Sequence, residues 1–142
     1  MNSIEIREVN PLQAWEILQT DSSSVLVDVR SRFEYEYVGH PETAINIPWK
    51  ELPDWKQDTD FAEKVRQQLQ ALLGRTVAPE AMNVLLLCRS GQRSMAAAAR
   101  LAECGFNRLV NIAEGFEGRL DDEGHRGTIS GWRYHRLPWK QG

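Results

Sequence analysis

At 142 residues with a formal net charge of −3, the chain is sized for one domain with a real core and lacks the overall basic surface that nucleic acid demands. It has no run of about 18 apolar residues to cross a membrane. The opening Met1-Asn2-Ser3-Ile4-Glu5-Ile6-Arg7 lacks the basic start and apolar stretch of a secretory signal. The expectation is a cytoplasmic protein with neither nucleic acid nor membrane as partner.

In chain order, Pro11 to Gln19 reads as a helix. Asn10 suits its N-cap, Pro11 suits the first helical position, and Leu12, Trp15, Ile17 and Leu18 recur on one side. Asp21-Ser22-Ser23-Ser24 is a turn. Val25-Leu26-Val27-Asp28-Val29 is β-branched and almost wholly apolar, as a central parallel strand covered on both faces must be. Ser31 caps a short helix over Arg32 to Tyr37, which the Gly39-His40-Pro41 break ends, with His40 as a turn residue. Ala44-Ile45-Asn46-Ile47 is a short strand that stops at Pro48, and residues 49 to 60 are irregular.

Asp60 to Leu73 has the spacing of an amphipathic helix in Phe61, Val65, Leu69 and Leu72-Leu73, and Gly74 stops it. Val84-Leu85-Leu86-Leu87 is the second strong strand. Ser94 to Glu103 is the next helix, and Leu109-Val110-Asn111-Ile112 the last strand. Strands alternating with helices predict an α/β fold, an open and mostly parallel central sheet with helices on both faces. From residue 119 to 142 the character changes to glycine and aromatics without a period. This stretch reads as an extension wrapped on the preceding domain of residues 1–118, burying Trp132 and Trp139.

Between the second strong strand and the alanine-rich helix lies Cys88-Arg89-Ser90-Gly91-Gln92-Arg93-Ser94. A cysteine there sits at the carboxyl end of a buried strand, where ligands of such sheets bind. It also faces free N–H groups and the positive end of a helix dipole. A thiolate is an anion, and such positions can lower a cysteine pKa from about 8.5 to roughly 3.5–7.5. Arg89 and Arg93 add positive field. A core cysteine needs neither the arginines nor Ser90 and Gly91, so Cys88 is the candidate nucleophile. A helix from Ser94 to Cys104 separates its ends by roughly 15 Å, whereas a disulfide needs Cα atoms within about 7 Å. The two cysteines therefore stay apart, and Cys104, before the helix-stopping Gly105, reads as packing.

No metal or other cofactor is expected. His40, His125 and His135 have no ligand spacing with either cysteine, no Cys-x2-Cys occurs, and no Gly-x-Gly-x-x-Gly follows a strand. Arg119, Arg126, Arg133, Arg136 and Lys140 alternate with Asp121, Asp122 and Glu123, so they read as a solvated wrap rather than an RNA surface.

Three stretches in this order and spacing resemble the rhodanese superfamily of single-domain sulfurtransferases. They are Val27-Asp28-Val29-Arg30 with Glu34; Gly39-His40 through Ala44-Ile45-Asn46-Ile47-Pro48; and the Cys88 to Ser94 loop. The resemblance spans roughly residues 5 to 117 and implies a rhodanese-like fold. It implies that Cys88 takes a sulfane sulfur from a small donor anion such as thiosulfate, or from a persulfide. Cys88 then becomes a persulfide itself and passes the sulfur to a thiophile, whether cyanide or the thiol of an acceptor or carrier protein. Arg89, Ser90, Gly91, Gln92, Arg93 and Ser94 are then the substrate-binding loop, whose N–H groups stabilise negative charge.

Which arginine points inward stays open in the sequence; the resemblance favours Arg93, which precedes the helix. Asp28, Arg30 and Glu34 read as support, because buried charges need partners: Arg30 with Glu34, and Asp28 bracing the cysteine loop or its neighbour by hydrogen bonding. Two departures bear on specificity. Glu114-Gly115-Phe116-Glu117-Gly118 stands where the family commonly has Gly-Gly followed by Trp, and the extension after residue 118 lies beyond the usual domain end.

Two rivals compete. A cysteine phosphatase or arsenate reductase needs Cys-x5-Arg around a tetrahedral oxyanion. Here the spacing from Cys88 to Arg93 is Cys-x4-Arg, a smaller loop that suits sulfur. A non-catalytic rhodanese-like interaction module, or a sulfur-relay carrier, is the alternative from another class. The retained cysteine with its basic neighbours argues against the first and does not separate the second from a free-standing enzyme.

Overall fold

The computed structural model describes residues 5–74 and 78–142. Its centre is a five-stranded sheet of β1 (Ile6–Val9), β2 (Ser24–Asp28), β4 (Ile45–Asn46), β7 (Asn83–Leu87) and β8 (Arg108–Ile112). These lie in the order β1-β8-β7-β2-β4, and every pairing is parallel. Parallel neighbours require crossovers, supplied by α1 (Pro11–Thr20), α2 (Phe61–Leu73) and α3 (Gln92–Glu103). The helix start at Pro11 is fixed by a reciprocal cap. Asn10 Oδ1 accepts from the Gln13 N–H at 2.8 Å, and Gln13 Oε1 accepts from the Asn10 N–H at 2.9 Å.

Strand side chains alternate between faces, and the core divides accordingly. Val27, Val84, Leu86 and Leu109 join Phe61, Val65 and Leu69 of α2 and Ala97, Ala98 and Leu101 of α3 on one side. Leu26, Leu85, Leu87, Val110 and Ile112 join Ala14 of α1 on the other, together with Phe116, Trp132 and Leu137. The α/β architecture with covered faces is thus present, and the second face is completed by the C-terminal stretch as much as by α1. Trp132 is fully buried, edge-on to Trp15 with ring centroids 6.1 Å apart, and its indole N–H donates to Pro138 O at 3.0 Å. Further on, β9 (Trp139–Lys140) pairs antiparallel with β3 (His40–Pro41), and Trp139 remains half-buried against Phe116.

Three local features differ from the expectations. Ser31 caps the short helix as expected, with Glu34 N–H donating to Ser31 Oγ and Ser31 N–H to Glu34 Oε1, each at 3.2 Å. From Glu34 to Val38, however, the helix widens to a π-type turn closed by Gly39 N–H to Glu34 O at 3.3 Å. Residues 49 to 60 contain a small hairpin, β5 (Lys50–Glu51) against β6 (Lys56–Gln57). It stands on Trp49, which packs edge-on to Phe61 with centroids 5.2 Å apart. Finally, α3 begins at Gln92 rather than Ser94, which shortens the connection from β7 to Cys88-Arg89-Ser90-Gly91.

Among the described residues no group of three or more His, Cys, Asp or Glu side chains is placed to hold a metal. No helix among them is long and apolar enough to cross a membrane. Both cysteines are free thiols.

Candidate active site

β7 is buried along its whole length and delivers Cys88 to the carboxyl edge of the sheet. The residue is 1% exposed and forms the floor of a cleft of about 620 Å³. Three backbone bonds set the loop. The carbonyl of Cys88 accepts from Phe116 N–H at 2.8 Å, and that of Arg89 accepts from Glu117 and Gly118 N–H at 3.0 and 3.2 Å. With these carbonyls bonded to residues 116–118, the loop can turn an N–H toward the sulfur. Gly91 does so, donating to Cys88 Sγ at 3.0 Å. Gly91 holds φ at +105°, and a Cβ on it would lie 2.2 Å from Ala113 O. Only glycine meets both demands.

Ser94, fully buried in the first turn of α3, approaches the sulfur from behind, with Oγ 3.2 Å from Sγ. It lies outside the cleft lining, whereas Arg89, Ser90, Gln92 and Arg93 are part of it. Of the loop residues read as substrate-binding, Ser94 therefore contacts the Cys88 sulfur and the other side chains named line the cleft.

The charge pairs differ from those expected. Arg30 does not pair with Glu34. Its Nη2 bonds Asp28 Oδ2 at 2.6 Å and Gly39 O at 2.6 Å, with both side chains fully buried. Arg30 follows two residues after Asp28, the last residue of β2, which brings its guanidinium onto that carboxylate, and the Phe116 ring lies 4.6 Å from its carbon. Asp28 is thereby committed to Arg30, and it does not reach the cysteine loop by any side-chain hydrogen bond among the described residues.

Glu34 instead takes Arg93 in a two-point bridge, both contacts at 2.8 Å. Burial works against the charge on Glu34. The Arg93 guanidinium, with the N–H and hydroxyl of Ser31, more than offsets it and holds the carboxyl below its ordinary pKa. Burial likewise opposes the Arg93 charge, and Glu34 above all, then Cys88 and Asp28, hold its pKa above the ordinary value. Arg93 thus lines the cleft with its charge already compensated. The exposed arginine in the lining is Arg89, which forms no ion pair among the described residues.

Several lining residues carried no signal in the sequence reading. Trp55, at the hairpin tip with φ +58°, holds its ring 5.2 Å from the Arg93 guanidinium carbon. Phe33 and Leu52 are exposed beside it, giving the cleft one apolar wall. Across from them stand Glu117 and Arg126, whose Nη1 donates to Gly118 O at 2.7 Å. Arg126 belongs to the C-terminal wrap, so that segment contributes directly to the cleft.

Comparison with known proteins agrees with this geometry. The profile of the rhodanese-like domain matches residues 10–121. The chain belongs to that family. Among curated relatives, an uncharacterized protein of Rickettsia conorii is 28% identical and aligns over 96% of this chain and 99% of its own length. The thiosulfate sulfurtransferase GlpE of Actinobacillus pleuropneumoniae is 26% identical over 78% of this chain and 83% of its own. The crystal structure of Rv0390 from M. tuberculosis superposes with a TM-score of 0.80 at 38% identity, covering 95% of this chain and 97% of that one. The Rickettsia and M. tuberculosis matches cover too much of the chain to stop at residue 121, where the family profile ends. The C-terminal wrap on the rhodanese-like domain is therefore within the region these two proteins share.

Proposed function

We propose that the protein is a sulfurtransferase in which Cys88 carries the sulfur. The observation that carries this reading is the sulfur's placement. It lies on a cleft floor at the carboxyl end of a parallel strand, accepts the Gly91 N–H, and has the exposed Arg89 above it. The Cys88 thiolate attacks the sulfane sulfur of thiosulfate. A Cys88 Sγ–S bond forms, the S–S bond of the donor breaks, and sulfite leaves with the electron pair. The resulting persulfide keeps one negative charge on its outer sulfur, inside a positive and N–H-bearing loop. A thiophilic acceptor, either cyanide or the thiol of a carrier protein, then attacks that outer sulfur and regenerates the Cys88 thiolate. Arg89 draws in the anionic donor.

The fate of Arg93 supports sulfur over phosphate as cargo. Two of its five N–H donors are held by Glu34, whose carboxylate offsets its charge and so weakens its pull on a tetrahedral oxyanion. The GlpE relative bears the name of a thiosulfate sulfurtransferase, and this reading extends that activity class to the present chain. The chemistry belongs to a reducing compartment, the cytoplasm, where a catalytic cysteine remains a thiol.

The experiment is steady-state turnover with thiosulfate and cyanide, read as thiocyanate, in wild type, Cys88→Ser and Cys104→Ser. Turnover in wild type and Cys104→Ser with none in Cys88→Ser is expected. Equal loss in both variants, or activity surviving in Cys88→Ser, refutes the role of Cys88.

A further inference from the structure

Asn111 is a polar residue, 1% exposed, between the buried apolar Val110 and Ile112 of β8. A buried amide must place its donors and acceptor, and here the placement is forced. Asn111 Nδ2 lies 3.1 Å from Gly91 O and 3.4 Å from Glu8 Oε2. A carbonyl and a carboxylate only accept, so the amino group faces them. Oδ1 therefore faces Ser94 Oγ, at 2.5 Å. The same Ser94 oxygen is 3.2 Å from Cys88 Sγ.

A serine hydroxyl has one hydrogen. While Cys88 is a thiol the chain is satisfied: S–H donates to Ser94 Oγ, and the hydroxyl donates to Asn111 Oδ1. Once the thiol proton leaves to water, the thiolate and Asn111 Oδ1 both require that hydrogen. We propose that Asn111 is a positioning residue that competes with the Cys88 sulfur for the single Ser94 hydrogen and thereby tunes how readily the thiolate forms. After sulfur uptake the charge moves to the outer sulfur, about 2 Å beyond Sγ, and the Ser94 hydrogen returns to Asn111. Ser94 and Asn111 thus form a toggle that follows the ionisation and sulfur load of Cys88. Through Glu8 it reaches the exposed edge strand β1.

Other charges also act on the sulfur. Arg89 and Arg93 come from the loop and α3, Glu34 from the turn after β2, and Glu117 and Arg126 from the C-terminal stretch. Asp28 ends β2, and its partner Arg30 follows two residues later. The test must therefore isolate the part that passes through Ser94. This inference rests on Cys88 being the nucleophile of the proposed transfer, and its readout needs no sulfur donor.

The measurement is the pH dependence of Cys88 alkylation by iodoacetamide, read by peptide mass, in wild type, Ser94→Ala, Asn111→Ala and the double variant. Ser94→Ala removes a donor to the thiolate, so the midpoint rises by about one pH unit and labelling below it slows about tenfold. Asn111→Ala releases the Ser94 hydrogen to the thiolate, so the midpoint falls by about 0.5–1 unit. In the Ser94→Ala background, Asn111→Ala no longer lowers the midpoint and moves it only by what the lost bond to Gly91 O contributes. The lost bond to Gly91 O is common to both backgrounds and cancels in the cycle. Asn111→Leu, of similar shape, takes the place of Asn111→Ala if the latter does not fold. An unmoved midpoint in the Asn111 variant, or the same movement with and without Ser94, overturns the inference. Thiosulfate loading of the wild type, followed in parallel by intact mass, tests the sulfurtransferase reading separately.

Discussion

Replacing Gly91 by alanine tests how the loop makes its nucleophile. The added Cβ would stand 2.2 Å from Ala113 O and 2.9 Å from Ala113 C, both backbone atoms of the turn just after β8. Restoring an ordinary contact of about 3.4 Å requires the loop or that backbone to move by more than 1 Å. The residue must also hold φ at +105°, a conformation costing an L side chain about 1–2 kcal/mol. The Gly91 N–H, now 3.0 Å from Sγ, moves with the loop. A misplacement of about 1 Å, together with loss of one preorganised donor, predicts a fall in kcat/KM of about 10²–10³. Gly105→Ala is the matched control. Gly105 has φ +96° but nothing within 4 Å of its Cβ position, and it lies beyond the far end of α3. That variant carries strain alone, lowering Tm by about 3–8 °C with turnover intact. The assay is thiocyanate production paired with thermal melting. If folded Gly91→Ala turns over at the wild-type rate, the loop geometry does not activate the sulfur as argued.

Three further outcomes follow from the geometry. Glu34→Gln breaks the two-point bridge to Arg93 and costs about 1–3 kcal/mol at neutral pH. Because the Glu34 carboxyl is held below its ordinary value, the bridge stabilises fully above the unfolded carboxylate pKa of about 4.3 and weakens as pH falls through the lower folded value. Urea midpoints of wild type and variant should therefore converge in strong acid; a gap that grows with acidity would contradict the pairing. Trp132→Ala empties a fully buried site on the α1 face, costing about 3–5 kcal/mol and lowering Tm by more than about 6 °C. A melt unchanged within error would show that the C-terminal wrap is not part of the core. Arg89→Ala removes an exposed positive charge at the cleft and should raise KM for thiosulfate about 5- to 20-fold with little change in kcat; an unchanged KM would move that role to another residue.

The central strands and the cysteine loop were legible because they are governed by local pattern. Residues 84–87 are a continuous apolar run and residues 25–29 one broken only by Asp28, patterns that fit a strand covered on both faces, and Cys88 follows the first directly. β1 was not legible. Arg7 and Glu8 are exposed on an edge strand, and its partner β8 lies about a hundred residues away, so no local period marks it. The β5–β6 hairpin has strands of two residues each, too short for any alternation.

The site's polar wiring was harder still. Arg30 had Asp28 and Glu34 both within reach, and only the turn's shape assigns one to Arg30 and the other to Arg93. Arg126 and Trp55 enter the cleft from segments with no periodicity at all. Asn111 did carry a signal. A lone amide inside Leu109-Val110-Asn111-Ile112 must find partners when the strand is buried, and those partners are Ser94 and the Gly91 carbonyl.

The central claim is that Cys88 carries a transferable sulfur. Intact mass of the purified protein before and after thiosulfate, then after cyanide, beside Cys88→Ser, tests it most directly. The account predicts a gain of one sulfur that maps to Cys88, disappears with cyanide, and is absent from Cys88→Ser. A folded wild-type protein with a free Cys88 thiol that gains no sulfur from thiosulfate or from a persulfide donor, or a gain that persists in Cys88→Ser, would contradict it.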